Sequence, residues 1–345
     1  MMKTNLPCES RALSRRNFLL GSAAGLGWLA AGAPAYGAEE LSQATIIVGS
    51  PPGGSIDKLA RLFADKLSGH YARRVIVENK PGAGGAIAYG HVKKSGITDG
   101  TLMFLSPAYP LVISPHVVNL PYDPLNDFLP VGIAGRSMMT ISVGPSTPES
   151  VKTLADFIQW CRDNPSKSLY AGGQTGSSQH LVGVSLAQAA NFKFDNVSYK
   201  GDAPAMQDLI GGHIPSIVLP IASAIPLLKD GRIRVLAVTG KKRSRFLPEI
   251  PTMIEQGYPD IIFQDWIGMF MRAGTPLPVL KRMNEAMNSV IGSEDGKQML
   301  AQNGFEAEMV TAEEFAPMVK ADYERYRGVI ERTRFREIIE KANGR

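Results

Sequence analysis

Residues 44–57 run from a β-branched stretch through a proline/glycine turn into a helical pattern, and few chain segments leave so little choice of local structure. Ile46, Ile47 and Val48 predict a short buried strand. Ile56, Leu59, Ala60, Phe63 and Leu67 then recur at helical spacing, so one face of that helix should lie on a sheet. Gly53 and Gly54 let the backbone turn without a Cβ, and Ser55 is the expected N-cap. The first N–H groups of a helix lack internal partners and sit at the positive end of its dipole, so such a junction suits a carboxylate or phosphate. It also serves as a tight βα turn with no ligand; what the rest of the chain brings to it decides which.

The pattern repeats. Val75–Val77, Thr101–Leu105, Phe128–Ala134 and Met139–Val143 read as strands, with a helix over Ala86–Lys94 and glycine-rich turns between. Gly144-Pro-Ser-Thr-Pro148 punctuates the chain, and the alternation restarts. Leu154–Trp160 is helical, Ser168–Ala171 extended, and Gly172–Ser178 is a second glycine/hydroxyl loop opening a helix. Asn196–Tyr199, Ile217–Leu219 and Val235–Val238 are further strands, and Pro204 suits the first turn of a helix to Leu209. Beyond Thr239 the pattern predicts a helix start at Pro251, an apolar run Trp266–Phe270, and amphipathic helices over Pro276–Ile291 and Glu313–Ile330. These units predict an α/β fold with a mainly parallel sheet, in two blocks. The expected division is 39–143 with 240–345 as a discontinuous first domain and 144–239 as the second, with chain crossings near Val143 and Thr239 forming a hinge. Ligands of open α/β sheets bind outside the carboxyl ends of the strands, and here two such edges could face each other.

Residues 1–38 read as an address. Arg15-Arg16-Asn17-Phe18-Leu19 precedes an uncharged Ala/Gly-rich run and small residues, and resembles a twin-arginine (Tat) export signal. Cleavage between Ala35 and Glu39 would leave a periplasmic chain in which Cys161 is the one cysteine, so no intrachain disulfide is expected. Lys3, Arg11, Arg15 and Arg16 against Glu9 give that segment a net +3, so of the formal +5 only +2 belongs to the remainder. That balance, with no basic run interleaved with aromatics, argues against nucleic acid; Lys241-Lys242-Arg243-Ser-Arg245 reads as a solvated loop.

Enzyme signatures are missing. Gly82-Ala-Gly84-Gly85 lacks the third glycine of a dinucleotide fingerprint, and no serine sits in a nucleophile elbow. The five histidines show no metal spacing, His180 reads as structural, and no catalytic residue, metal site or cofactor is assigned. What recurs is neutral donors at strand ends: Gly53, Gly54 and Ser55 in one block, and Gly173, Thr175, Gly176, Ser177 and Ser178 in the other. Lys200 is the one cation placed beside them.

Four ordered stretches carry a resemblance: Pro52–Asp57, Glu78–Gly85, Tyr199–Ala205 with Asp208–His213, and Val235–Gly240 with Pro248–Thr252. From about Thr45 onward the chain resembles a solute-binding protein of the tripartite tricarboxylate transporter type, the TctC or Bug family. The resemblance implies a two-domain, type II periplasmic-binding-protein fold, a small carboxylate (di- or tricarboxylate or aromatic acid) in the interdomain cleft, and handover to membrane transporter subunits; a sensor kinase is an alternative partner. It carries cleft roles onto Gly54, Ser55, Asp57, Ser106, Ala108, Gly173, Thr175, Ser177, Tyr199 and Lys200. The chain departs from the family at Pro215, where an Asp is common. Asp57 would repel a ligand carboxylate, so it either turns aside to cap its own helix or hold a water, or meets a donor on the ligand, and the first is expected.

Overall fold

The computed structural model describes residues 41–342; the expected export signal and its twin arginines lie outside the described residues. The strands are β1 (Leu41–Val48), β2 (Ala72–Asn79), β3 (Leu102–Pro107), β4 (Phe128–Val143), β5 (Leu169–Gly172), β6 (Asp195–Ser198), β7 (Ser216–Pro220), β8 (Arg234–Val238) and β9 (Gln264–Arg272). They form one sheet in the order β2-β1-β3-β9-β4-β7-β5-β6, with β8 paired to β4.

The parallel arrangement expected from the βα alternation holds in the two arms, where β1 pairs with β2 and β3, and β5 with β6 and β7. The centre differs. There β9 runs antiparallel to β3 and β4, and β4 antiparallel to β7 and β8. A helical crossover enforces parallel pairing only between strands it joins, and neither β4 nor β9 is delivered to its neighbours that way.

The two strands expected at Phe128–Ala134 and Met139–Val143 are one 16-residue strand. The linking residues stay extended because β9 pairs across them, Arg136 opposite Trp266 and Ser137 opposite Asp265. Partners then change: β9 pairs along Phe128–Met138, and β7 takes over from Met139. One strand therefore belongs to both halves of the sheet.

Alternation buries both faces. Ala44, Ile46 and Val48 of β1 pack with Leu59, Phe63 and Leu67 of the Ser55–Leu67 helix, while Ile47 points into a second core with Tyr89 and Phe104. Each such fully buried aliphatic or aromatic side chain contributes about 1.5–3 kcal/mol. The helices Leu277–Gly292 and Glu294–Gln302 share the first core, and Ala312–Arg332 the second. A third core gathers Ala205 and Leu209 of the Asp202–Ile210 helix and Ile221 and Ala224 of the Ile221–Lys229 helix beneath β7 and β8.

Several local expectations change. No helix starts at Pro251: Thr252 and Glu255 exchange reciprocal hydrogen bonds as a capping box would, but Gly257 at φ +90° ends the turn. The helices Ile221–Lys229, Glu294–Gln302 and Phe335–Ala342 carried no clear sequence signal. Pro215 precedes β7, and its carbonyl accepts from the Gly144 N–H and the Thr147 hydroxyl at 2.9 Å each. Cys161 is a buried free thiol, and burial pushes its pKa up to about 11, as suits a packing residue. No helix of the described residues is long and apolar enough to cross a membrane.

Candidate functional site

The carboxyl ends of β1, β3, β5, β6 and β7 open onto one cleft of about 1120 Å³, its mouth included. Its walls come from both sheet halves. The turn after β1 supplies Gly49, Ser50, Pro51, Pro52, Gly54 and Ser55; the loops after β5 and β6 supply Gly173, Gln174, Ser177, and Lys200 to Pro204. Ser137, Met139, Asp265, Trp266 and Ile267 of β4 and β9 contribute from the middle of the sheet, and Phe305 joins them.

Three helix N-termini converge there, those of Ser55–Leu67, Ser178–Ala189 and Asp202–Ile210. Each aims a positive dipole end and backbone N–H groups at the same space. Ser55 is not the cap expected of it. Gly54 takes the N-cap position, and the Ser55 hydroxyl reaches across to Asp202 Oδ2 at 3.3 Å. Ser177 does cap its helix, accepting from the His180 N–H. The Ser50 hydroxyl, in the first turn of the wall, is buried without a hydrogen-bond partner among the described residues.

Of the residues singled out from sequence, Gly54, Ser55, Gly173, Ser177, Ser178 and Lys200 line the cleft. Gly53 lies just behind it, at φ +89°, with its N–H donated to Asp57 Oδ2. Asp57 turns away from the opening: besides Gly53 it accepts from Asn79 Nδ2 at 2.8 Å and from Arg61 at 3.0 Å. Burial alone would raise its pKa, but the Arg61, Gly53 and Asn79 hydrogen bonds bring it below the usual carboxylate value. Ser106 and Ala108 are buried behind the wall, with the Ser106 hydroxyl bonded to the Pro107 carbonyl and Tyr89. Thr175 pairs with Ser198, and the Tyr199 hydroxyl donates to Asp208 at 2.8 Å.

Sequence reasoning did not mark two acids of the cleft. Asp202, first residue of its helix, accepts from Ser55, from Ser223 at 2.7 Å and more loosely from Gln179. Asp265, opposite Ser137 on β9, accepts from the Ser178 hydroxyl at 2.6 Å and the Tyr326 hydroxyl at 2.5 Å. Desolvation raises both pKa values, against the pull of these donors. Their partners lie 147 and 87 residues away for Ser55 and Ser178, a separation with no local signature. His180 is buried, its Nδ1 facing the Gly176 N–H and its ring edge-on to Phe335. Among the described residues no group of three or more His, Cys, Asp or Glu side chains could hold a metal ion.

A cleft at the strand ends of a sheet with two halves can be set beside known proteins. A Pseudomonas sp. (strain P51) protein from the tcbD-tcbE intergenic region is 31% identical over 83% of this chain and 84% of its own length. Protein BugT of Bordetella pertussis is 28% identical over 84% and 88%. Among solved structures, R. palustris Rpa4515 with adipate is 31% identical at a TM-score of 0.79, covering 84% of this chain and 97% of its own. The periplasmic binding protein BugD is 28% identical at 0.77 over the same shares. The tripartite tricarboxylate transporter family receptor, TctC, matches residues 59–335. With that match over most of its length and the two-domain periplasmic-binding-protein fold of its neighbours, the chain belongs to the TctC family of solute-binding receptors.

Proposed function

We propose that the chain captures a small carboxylate between the halves of its sheet and delivers it to the membrane subunits of a tripartite tricarboxylate-type transporter. The observation that carries this is the convergence of three helix N-termini on one cleft. Such a site holds an anion by neutral donors and dipoles, which keeps the ligand exchangeable. The buried, unpartnered Ser50 hydroxyl adds a donor awaiting an acceptor. The 31% identical relative solved with adipate supports the ligand class.

On this reading Gly53, Gly54, Ser55, Gly173, Thr175, Ser177 and Lys200 form or brace the clamp, while Asp57, Ser106, Ala108 and Tyr199 shape its loops from behind. The segments 39–143 with 240–345 and 144–239 move as two domains about the long strand β4, and closure on the ligand is what the transporter recognises. Export through the Tat-type signal places the protein in the periplasm, and the cleft binds without turnover.

A panel of aliphatic and aromatic acids tests the proposal by thermal shift. An acid at 100 times its Kd stabilises the protein by about 2.7 kcal/mol. Gly54→Val should abolish that gain while leaving the fold intact, because Gly54 has an ordinary φ of −74° and only the Pro51 carbonyl, at 3.9 Å, near a Cβ. A panel without a shift overturns carboxylate capture. Retention of the ligand-loaded protein on membranes holding the transporter subunits, and not on membranes lacking them, tests delivery.

A further inference from the structure

We infer that the cleft selects acids carrying a single carboxylate on an apolar body without a second anionic group, and rejects di- and tricarboxylates. This rests on the carboxylate-capture reading and narrows it. Each of the three helix N-termini named above already serves a carboxylate of the protein. Asp57 takes the Gly53 N–H at the first helix, Asp265 takes the Ser178 hydroxyl at the second, and Asp202 is the first residue of the third. The dipole ends are thus partly neutralised before any ligand arrives.

The side chains facing the cleft add little to balance them. Among the described residues Lys200 is the one cation of the lining, against two acids, Asp202 and Asp265. Asp265 cannot swing aside, because Ser178 and Tyr326 hold both its oxygens in a site only 7% exposed. One incoming carboxylate can be met by the helix ends, Lys200 and Ser50. A second, several ångströms along the same molecule, would face Asp265 or Asp202, while Arg325 and Lys58, the cations that act on those acids, stand outside the lining, and like charges at such range inside a cleft are disfavoured. The lining also suits a hydrocarbon: Trp266 and Ile267 follow Asp265 on β9, and Met139, Phe305, Tyr109 and Ile56 share the cleft.

Calorimetry at pH 7.5 with matched pairs tests this on the wild-type protein: hexanoate against adipate, and benzoate against terephthalate, with 6-aminohexanoate as a cationic-tailed probe. In at least one pair the monocarboxylate should bind tenfold or more tighter than its dicarboxylate, and 6-aminohexanoate, whose ammonium can face Asp265 or Asp202, should bind tighter than adipate. Asp265→Asn should shrink the mono-to-dicarboxylate ratio at least threefold, a change that mere loosening of the fold, acting on both ligands alike, would not produce. Asp202→Asn gives the same readout should the first variant fail to fold. Equal or tighter binding of the dicarboxylates, or binding of 6-aminohexanoate no tighter than that of adipate, overturns the inference and leaves carboxylate capture standing. If no acid of any kind binds, carboxylate capture falls and this inference falls with it.

Discussion

Gly49 and Gly85 meet backbone to backbone: a Cβ on Gly49 would stand 2.7 Å from the Gly85 Cα. Gly85, at φ +96°, likewise admits no side chain, since its Cβ would fall 2.6 Å from the Tyr89 ring. This contact seats the turn after β1 against the loop after β2 and so fixes where the first cleft wall stands. Gly49→Ala should cost about 1–3 kcal/mol, as overpacking of a close contact does. Gly54→Ala, with an open Cβ position, should cost far less, and urea denaturation of the two variants makes the comparison.

Asp265 depends on Tyr326. Removing the 2.5 Å donor with Tyr326→Phe leaves a buried carboxylate under-satisfied, at a cost of about 1–3 kcal/mol. The penalty should depend on pH. A carboxyl with a raised folded pKa holds its proton longer folded than unfolded, so its penalty is absent below the ordinary 3.8 and grows as pH climbs through the folded value. The difference between wild type and Tyr326→Phe should therefore be smallest near pH 4 and grow as pH rises through the folded value, in a series from pH 4 to 9. An equal difference throughout would refute the account.

His180 gives the opposite slope. Burial lowers its pKa from 6.5 to about 4, so the unfolded chain takes up a proton that the folded one refuses. Stability present above pH 6.5 is then lost as pH falls toward 4, by about 3 kcal/mol in all. Protonation also removes the Nδ1 lone pair that faces the Gly176 N–H, loosening the second glycine loop. His180→Gln should flatten the stability curve between these pH values; chemical denaturation at a series of pH values reads it directly.

Asp57 is expected to act on the loop and not on the ligand. Asp57→Ala frees Gly53, Asn79 and Arg61 together and should lower stability by about 1–3 kcal/mol. Asp57→Asn keeps an acceptor for the Gly53 N–H, and its affinity for the best-binding acid should stay within about threefold of wild type, under 1 kcal/mol. A collapse of affinity in Asp57→Asn, measured by calorimetry, would show direct contact with the ligand. Because the Asp57 pKa is depressed, its contribution is present above 3.8 and is lost as pH falls below it.

How much of this was legible beforehand follows the range of each interaction. The strand Ile46–Val48 and the helix bearing Leu59, Phe63 and Leu67 were written in periodicity, and all six side chains are buried as the pattern requires. The helix over Leu154–Asp163 begins with a capping box at Thr153 and Asp156, again a local device. Ser55 misled because its neighbourhood matches a cap equally well at Gly54; the hydroxyl's destination, Asp202, lies in the other half of the sheet. The break expected between Ala134 and Met139 did not occur, since Gly135 to Ser137 draw their extended form from β9, more than a hundred residues later.

The sequence by itself determined the α/β class, the glycine turns that end β1 and β5, and the four motifs that mark the TctC family. All of these rest on interactions within a few residues, where periodicity and turn chemistry are readable. The tertiary structure alone decided that one strand serves both sheet halves, that the Ser55 hydroxyl reaches Asp202, and that Asp202 and Asp265 stand in the cleft. The reason is physical: a carboxylate's charge acts on whatever the fold brings within a few ångströms, and chain separation carries no record of that distance.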